Sequence, residues 1–168
     1  MLLRRMADFQ PLLVADAYTA LGASRADYLA AHHRWQSLLR SRRAPTGLDL
    51  YRAVLGPADT THTTSVGDLP LTAYAWRLPG LWPDLRWEVV FGPDPVVLSA
   101  GLVRSGAVPD LPAPERLPPW SCVLGDVLAR YPSAEQLDPD VPTQWVVRVG
   151  PHDLWFAHGL FQAVRPRT

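Results

Sequence analysis

Trp87-Glu88-Val89-Val90-Phe91-Gly92-Pro93 opens a run that closes on Gly101-Leu102, and the run returns as Trp145-Val146-Val147-Arg148-Val149-Gly150-Pro151, closing on Gly159-Leu160. The match holds at a constant offset without gaps: Phe91 falls on Val149, Val96 on Leu154 and Leu98 on Phe156. Leu85, Trp87, Val89 and Phe91 alternate with Arg86, Glu88 and Val90, the period of a strand with one wet face. The glycine-proline step is turn chemistry, so each copy reads as a β-hairpin. A helix bearing Val-Leu-Gly precedes each copy, Val54-Leu55-Gly56 in one case and Val123-Leu124-Gly125 in the other. We read a duplicated helix-plus-hairpin unit. The alternative is two ordinary hairpins that share a favourable turn.

Upstream of the first copy, Thr72, Tyr74 and Trp76 alternate with Leu71, Ala73 and Ala75, adding a strand before the Pro79-Gly80 turn. Residues 6–56 read as helical. Leu13, Ala17 and Leu21 share one stripe, with Val14 and Tyr18 beside it, and Gly22 is placed to stop that helix. Ser24 with Asp27 forms a capping-box signature for a second helix, in which Tyr28, Ala31, Trp35 and Leu38 should face the core. Thr46 with Asp49 repeats the signature for a short helix through Leu55, stopped by Gly56-Pro57.

Residues 60–104 hold the first hairpin repeat, the proline-rich residues 105–119 read as a linker, and residues 120–164 hold a helix from Trp120 to Tyr131 and the second repeat. A hairpin cannot bury its face alone. The expected fold is therefore α+β, a single domain with a largely antiparallel twisted sheet of five to six strands. The N-terminal helices and the later helix pack on one of its faces, leaving the other face and the edges to a partner.

Composition narrows the function classes. Of 168 residues, 48 % are apolar and 19 % charged, a globular balance. No apolar stretch approaches the roughly 20 residues of a membrane helix, and Met1 to Asp8 has arginines but no apolar signal core, so a cytoplasmic protein is expected. The formal net charge of zero exerts no global pull on nucleic acid or anionic lipid. Cys122 is the single cysteine, which excludes an internal disulfide framework. Lys, Ile and Asn are all missing. Their codons are A/T-rich, which points to a high-GC bacterium or phage and makes arginine the default cation of this chain.

The candidate residues follow. His32 and His33 are neighbours on a helix, about 100° apart, and cannot chelate one ion. Arg34, Arg40, Arg42 and Arg43 could form an anion or nucleic-acid contact at one helix end, or simply a solvated face. Cys122, His152 and His158 are the residues that would serve a ligand pocket, although Cys122 has no nucleophile motif around it and fits a buried inert thiol. No Cys-x-x-Cys or His-Glu-x-x-His spacing exists, so no metal or cofactor is expected. Of seven tryptophans, Trp35, Trp76, Trp87 and Trp145 fall on core-facing patterns. Trp82, in a proline-flanked turn, and Trp155 do not; they are candidate interface anchors or parts of a second small core.

Residues 48–102, with Val54-Leu55-Gly56-Pro57, Tyr74-Ala75-Trp76 and Trp87-Glu88-Val89-Val90-Phe91, resemble the helix-and-sheet lobe of SmpA/OmlA-type and β-lactamase-inhibitor-like proteins. The chain departs from that pattern in lacking a lipobox cysteine and paired cysteines. The resemblance implies a binding scaffold rather than an enzyme. The leading reading is a non-enzymatic protein-binding module of adaptor, inhibitor or immunity type, with a protein partner or a homo-oligomer. One alternative is a small enzyme or small-molecule-binding domain with a pocket between helices and sheet. A second is a nucleic-acid-binding accessory protein that uses the arginine-rich helix end.

Overall fold

The alternation at Leu85–Phe91 is fully realised: Leu85, Trp87, Val89 and Phe91 are buried, and the residues between them are half-buried. The computed structural model describes residues 2–94, 96–138 and 141–167, so Pro95 of the first hairpin turn and Pro139 and Asp140 of the later loop lie outside the described residues. The element order is α1 (Leu2–Ala7), α2 (Pro11–Ala20), α3 (Arg25–Arg40), α4 (Gly47–Leu55), β1 (Thr60–Val66), β2 (Leu69–Arg77), β3 (Leu85–Phe91), β4 (Val97–Arg104), a 3-10 turn (Pro114–Arg116), α5 (Leu124–Arg130), β5 (Glu135–Leu137), β6 (Gln144–Val149), β7 (His152–Ala157) and β8 (Leu160–Pro166). The fold is α+β and its sheets are antiparallel. The strands form two four-stranded sheets, β1-β2-β3-β4 and β5-β6-β7-β8, where one sheet of five to six was expected. The reason is local: each hairpin recruits strands from its own neighbourhood, β1 and β2 in one case, β5 and β8 in the other.

The chain divides into two compact units, Ala15–Ala100 and a second made of Leu2–Val14 with residues 101–167. In the first, the β2–β3 register pairs Trp76 with Trp87, Tyr74 with Val89 and Thr72 with Phe91, which places these side chains on one face. Helix α4 lies against that face: Tyr51 packs on Trp76 with ring centroids 6.0 Å apart, and the Arg52 guanidinium sits 6.0 Å from the Tyr74 ring centroid. The Trp76 indole N–H donates to the Gly56 carbonyl at 3.0 Å, so the residue that ends α4 also anchors the buried tryptophan. The capping box of α3 forms as read, with the Asp27 N–H donating to Ser24 Oγ and the Ser24 N–H to Asp27 Oδ2. Thr46 caps α4 without a side-chain bond. Helix α3 has no buried residue: Tyr28, Trp35 and Leu38 are half-buried and Ala31 is exposed, because His32 and Gln36 interrupt its apolar stripe.

In the second unit, Val147, Leu154, Phe156 and Phe161 form one core with Cys122 and Val127. Leu111 and Leu117, from the proline-rich segment, belong to the same core. Helix α5 starts at Leu124, later than the expected Trp120, because Asp126 accepts the Val123 N–H and sets the first turn there. Cys122 therefore lies ahead of the helix and not within it, its carbonyl accepting the Phe161 N–H at 2.9 Å.

The two Val-Leu-Gly motifs play opposite parts. Val54-Leu55 ends α4 with Gly56 as its C-cap, whereas Val123 is the N-cap of α5. The glycines of the repeat also differ. Gly150 and Gly159 have φ of 56° and 81°, while Gly92 and Gly101 are not among the positive-φ glycines. Copies aligned in sequence thus occupy strands β3 and β4 in one sheet and β6 and β7, its two inner strands, in the other.

Candidate interaction face

The registers of β5 to β8 generate a patterned surface on the side of the second sheet away from its core. Glu135 pairs with Arg148, Arg148 with Asp153, and Asp153 with Arg165, so a row of alternating charge crosses all four strands. Beside it runs an apolar row of Leu137, Val146, Trp155 and Ala163, built by the same registers. Arg148 binds both acids, Nε to Asp153 at 3.0 Å and an Nη to Glu135 at 3.4 Å. The Asp153 hydrogen bond, followed by the two carboxylate charges, raises the Arg148 pKa above its usual value. Arg165 is not committed to that ladder; its guanidinium lies 4.8 Å from the Trp155 ring centroid, a cation–π geometry.

The N-terminal segment covers part of this face. Phe9 packs on Trp155 with centroids 6.3 Å apart, and the Gln10 amide donates to the Gln162 carbonyl at 2.7 Å. Gln162 is fully buried at the β-bulge opposite Trp155 and Phe156; its Oε1 accepts the Trp120 indole N–H at 3.1 Å and its Nε2 donates to the Leu160 carbonyl. Val127 of α5 thus joins the core side of this sheet, while Phe9, between α1 and α2, packs on the Trp155 side.

The remaining candidates scatter. Trp82 is buried at 9 % exposure and so belongs to a core, not to an exposed anchor. Arg34, Arg40, Arg42 and Arg43 are all exposed. Arg34 and Arg40, six positions apart on α3, point about 120° apart, and Arg42 and Arg43 lie beyond the end of that helix. His152 begins β7 and His158 follows its end, which puts the two histidines a strand length apart. Cys122 is buried, and burial is the main cause that pushes its thiol up to about 12, leaving it protonated and non-nucleophilic at neutral pH.

His158 is structural. With Gly159 it forms the two-residue β7–β8 turn, both at positive φ (50° and 81°), as a type I′ hairpin requires. Its N–H donates to the Thr143 carbonyl and its carbonyl accepts the Leu102 N–H, both at 2.7 Å. Burial, with a smaller contribution from Arg5, lowers its pKa from 6.5 to about 4. Above pH 6.5 the imidazole is neutral in both folded and unfolded chains; between 6.5 and 4 only the unfolded chain takes the proton. Stability is expected to fall across that window by up to about 3 kcal/mol. His158→Asn, which tolerates positive φ, should flatten the loss in urea melts taken from pH 7 to 4; an unchanged slope would refute the assignment.

Among the described residues no group of three or more His, Cys, Asp or Glu could hold a metal ion, and no helix is long and apolar enough to cross a membrane. The charged row was missed in the sequence, although Arg148, Asp153 and Arg165 all fall out of phase with the core residues of their strands.

No protein-family model and no curated protein matches the chain. A solved structure from Streptococcus mutans described as a "putative beta-lactamase inhibitor protein" is similar at 10 % identity and a TM-score of 0.32, over 76 % of this chain and 86 % of that one. A superposition at that score does not define a shared architecture.

Proposed function

We propose that the chain is a non-enzymatic protein-binding module, of adaptor, inhibitor or immunity type, that engages its partner through the Trp155 face. The observation that supports this reading is the Trp155–Arg165 pair, a half-exposed aromatic under an exposed guanidinium, which joins the apolar row to the row of alternating charge. Tryptophan and arginine are the residue types that dominate binding energy at protein interfaces, and an apolar strip with a charged border is the anatomy of such a patch. The charged row would set register and orientation, since Glu135, Arg148, Asp153 and Arg165 alternate in sign.

The test is affinity capture from host lysate with the wild-type chain, Trp155→Ala, and the control Arg42→Ala/Arg43→Ala. A partner retained by the wild type and the control should bind the Trp155 variant at least 10-fold more weakly. A partner lost only with the arginine variant, and progressively with salt, would overturn this reading in favour of anion binding at the end of α3.

A further inference from the structure

We propose that β1 is a self-pairing edge, through which two copies of this chain join their first sheets into one continuous antiparallel sheet. The inference concerns a different surface from the Trp155 face and stands independently of it.

Strand β1 is the end strand of its sheet, bonded to β2 on one side only, and every one of its seven residues is exposed. Its sequence, Thr60-Thr61-His62-Thr63-Thr64-Ser65-Val66, contains no proline, lysine, arginine or carboxylate. Proteins that keep such edges monomeric blunt them with charges, prolines, bulges or a covering element. This edge has none of the sequence devices. Its register with β2 runs unbroken through all seven residues, and that hairpin closes on a two-residue Gly67-Asp68 turn with Gly67 at φ 57°.

The occupant we assign is a second copy of this strand, which meets it without an opposed pair of like charges. An antiparallel pairing about a two-fold axis at Thr63 sets Thr63 against Thr63, His62 against Thr64, Thr61 against Ser65 and Thr60 against Val66. Each of these pairs joins small or β-branched residues, or a histidine with threonine, and cross-strand threonine and serine pairs stabilise antiparallel sheets. The two copies of His62 do not face one another, and each is already beside Glu88 of its own sheet at 3.6 Å. Asp59, just outside the strand, falls opposite Gly67 and is held by Arg77 at 2.9 Å, so no like charges meet across the seam. A two-fold interface of this kind is isologous and closes at the dimer.

Analytical ultracentrifugation of the full chain over micromolar to submillimolar concentrations tests this. The wild type should sediment as a concentration-dependent dimer. Thr63→Lys places two ammonium groups opposite each other at the axis and should weaken dimerisation at least tenfold, as should Thr63→Glu. Mixing the two variants should restore a heterodimer, which separates loss of pairing from loss of folding. A wild type that stays monomeric throughout, a Thr63→Lys dimer as tight as the wild type, or no recovery on mixing would each overturn the proposal. A monomer that instead binds an extended foreign peptide at β1 would also overturn it and assign the edge to another protein.

Discussion

Gly159→Ala is expected to lower stability by on the order of 3–5 kcal/mol. Two costs combine. The residue sits at φ 81°, where a side chain strains the backbone whatever space surrounds it. A Cβ there would also stand 2.8 Å from the Leu102 carbonyl oxygen and 3.1 Å from the Leu102 nitrogen, both backbone atoms that cannot rotate away. The displaced segment is tied on both sides: the Leu102 N–H donates to the His158 carbonyl at 2.7 Å and the Leu124 N–H to the Gly159 carbonyl at 2.8 Å. Two comparisons separate the costs. Gly150→Ala, at φ 56° with nothing within 4 Å, should cost only about 1 kcal/mol. Gly101→Ala, whose Cβ would approach the His158 carbonyl oxygen at 3.4 Å without a positive φ, should also fall well below Gly159→Ala. Urea unfolding of the three variants decides the matter, and equal losses at Gly150 and Gly159 would show that the contact with Leu102 contributes nothing.

That contact joins the two glycine-leucine ends of the sequence repeat: Gly101-Leu102 lies directly on His158-Gly159. The recurrence was legible as a pattern, yet nothing in a pattern reveals that its two ends touch. The same divide runs through the fold. Strand β3 was legible because every second residue is large and apolar. The paired role of β1 was not, since a threonine-rich strand with all residues exposed carries no burial period to read. The separation into two sheets was hidden for a related reason. Periodicity says which residues face a core, but two hairpins with the same period fit one sheet or two equally well.

The candidate site shows where register becomes necessary. Trp155 stood out because it falls between Leu154 and Phe156. Its partner Arg165 did not, because the pairing depends on the two-residue His158-Gly159 turn and on the bulge at Gln162, which together set the β7–β8 register. For Trp82 the sequence left an exposed anchor and a small core equally open, because a proline-flanked turn carries no burial period; its indole is buried. Leu111 and Leu117 were passed over as parts of a linker, although each drives an apolar side chain into the core between prolines.

Asp126→Ala is expected to destabilise the second unit by about 3–5 kcal/mol, the range for stripping one partner from a buried ion pair. Asp126 is 1 % exposed, and its carboxylate takes two guanidinium nitrogens of Arg104, Nε at 3.1–3.2 Å and an Nη at 2.7 Å, together with the Val123 N–H at 2.9 Å. Removing it takes from Arg104, whose side chain is only 17 % exposed, the carboxylate at 2.7 Å, and takes from α5 the acceptor that fixes its first turn. The pair also spans the proline-rich segment from the end of β4 to the start of α5, so its loss frees both ends of that loop at once. Asp126→Asn should cost less, because the amide oxygen still accepts the Val123 N–H. Arg104→Met combined with Asp126→Leu should recover much of the loss, since replacing a whole buried pair by apolar side chains is often neutral. Chemical denaturation of the single and double variants forms a thermodynamic cycle in which the coupling should exceed about 2 kcal/mol. A coupling near zero would mean that Asp126 acts as a helix cap alone. In that case Asp126→Ala should resemble the loss of an ordinary cap, about 1 kcal/mol, and Arg104→Met alone should be nearly silent.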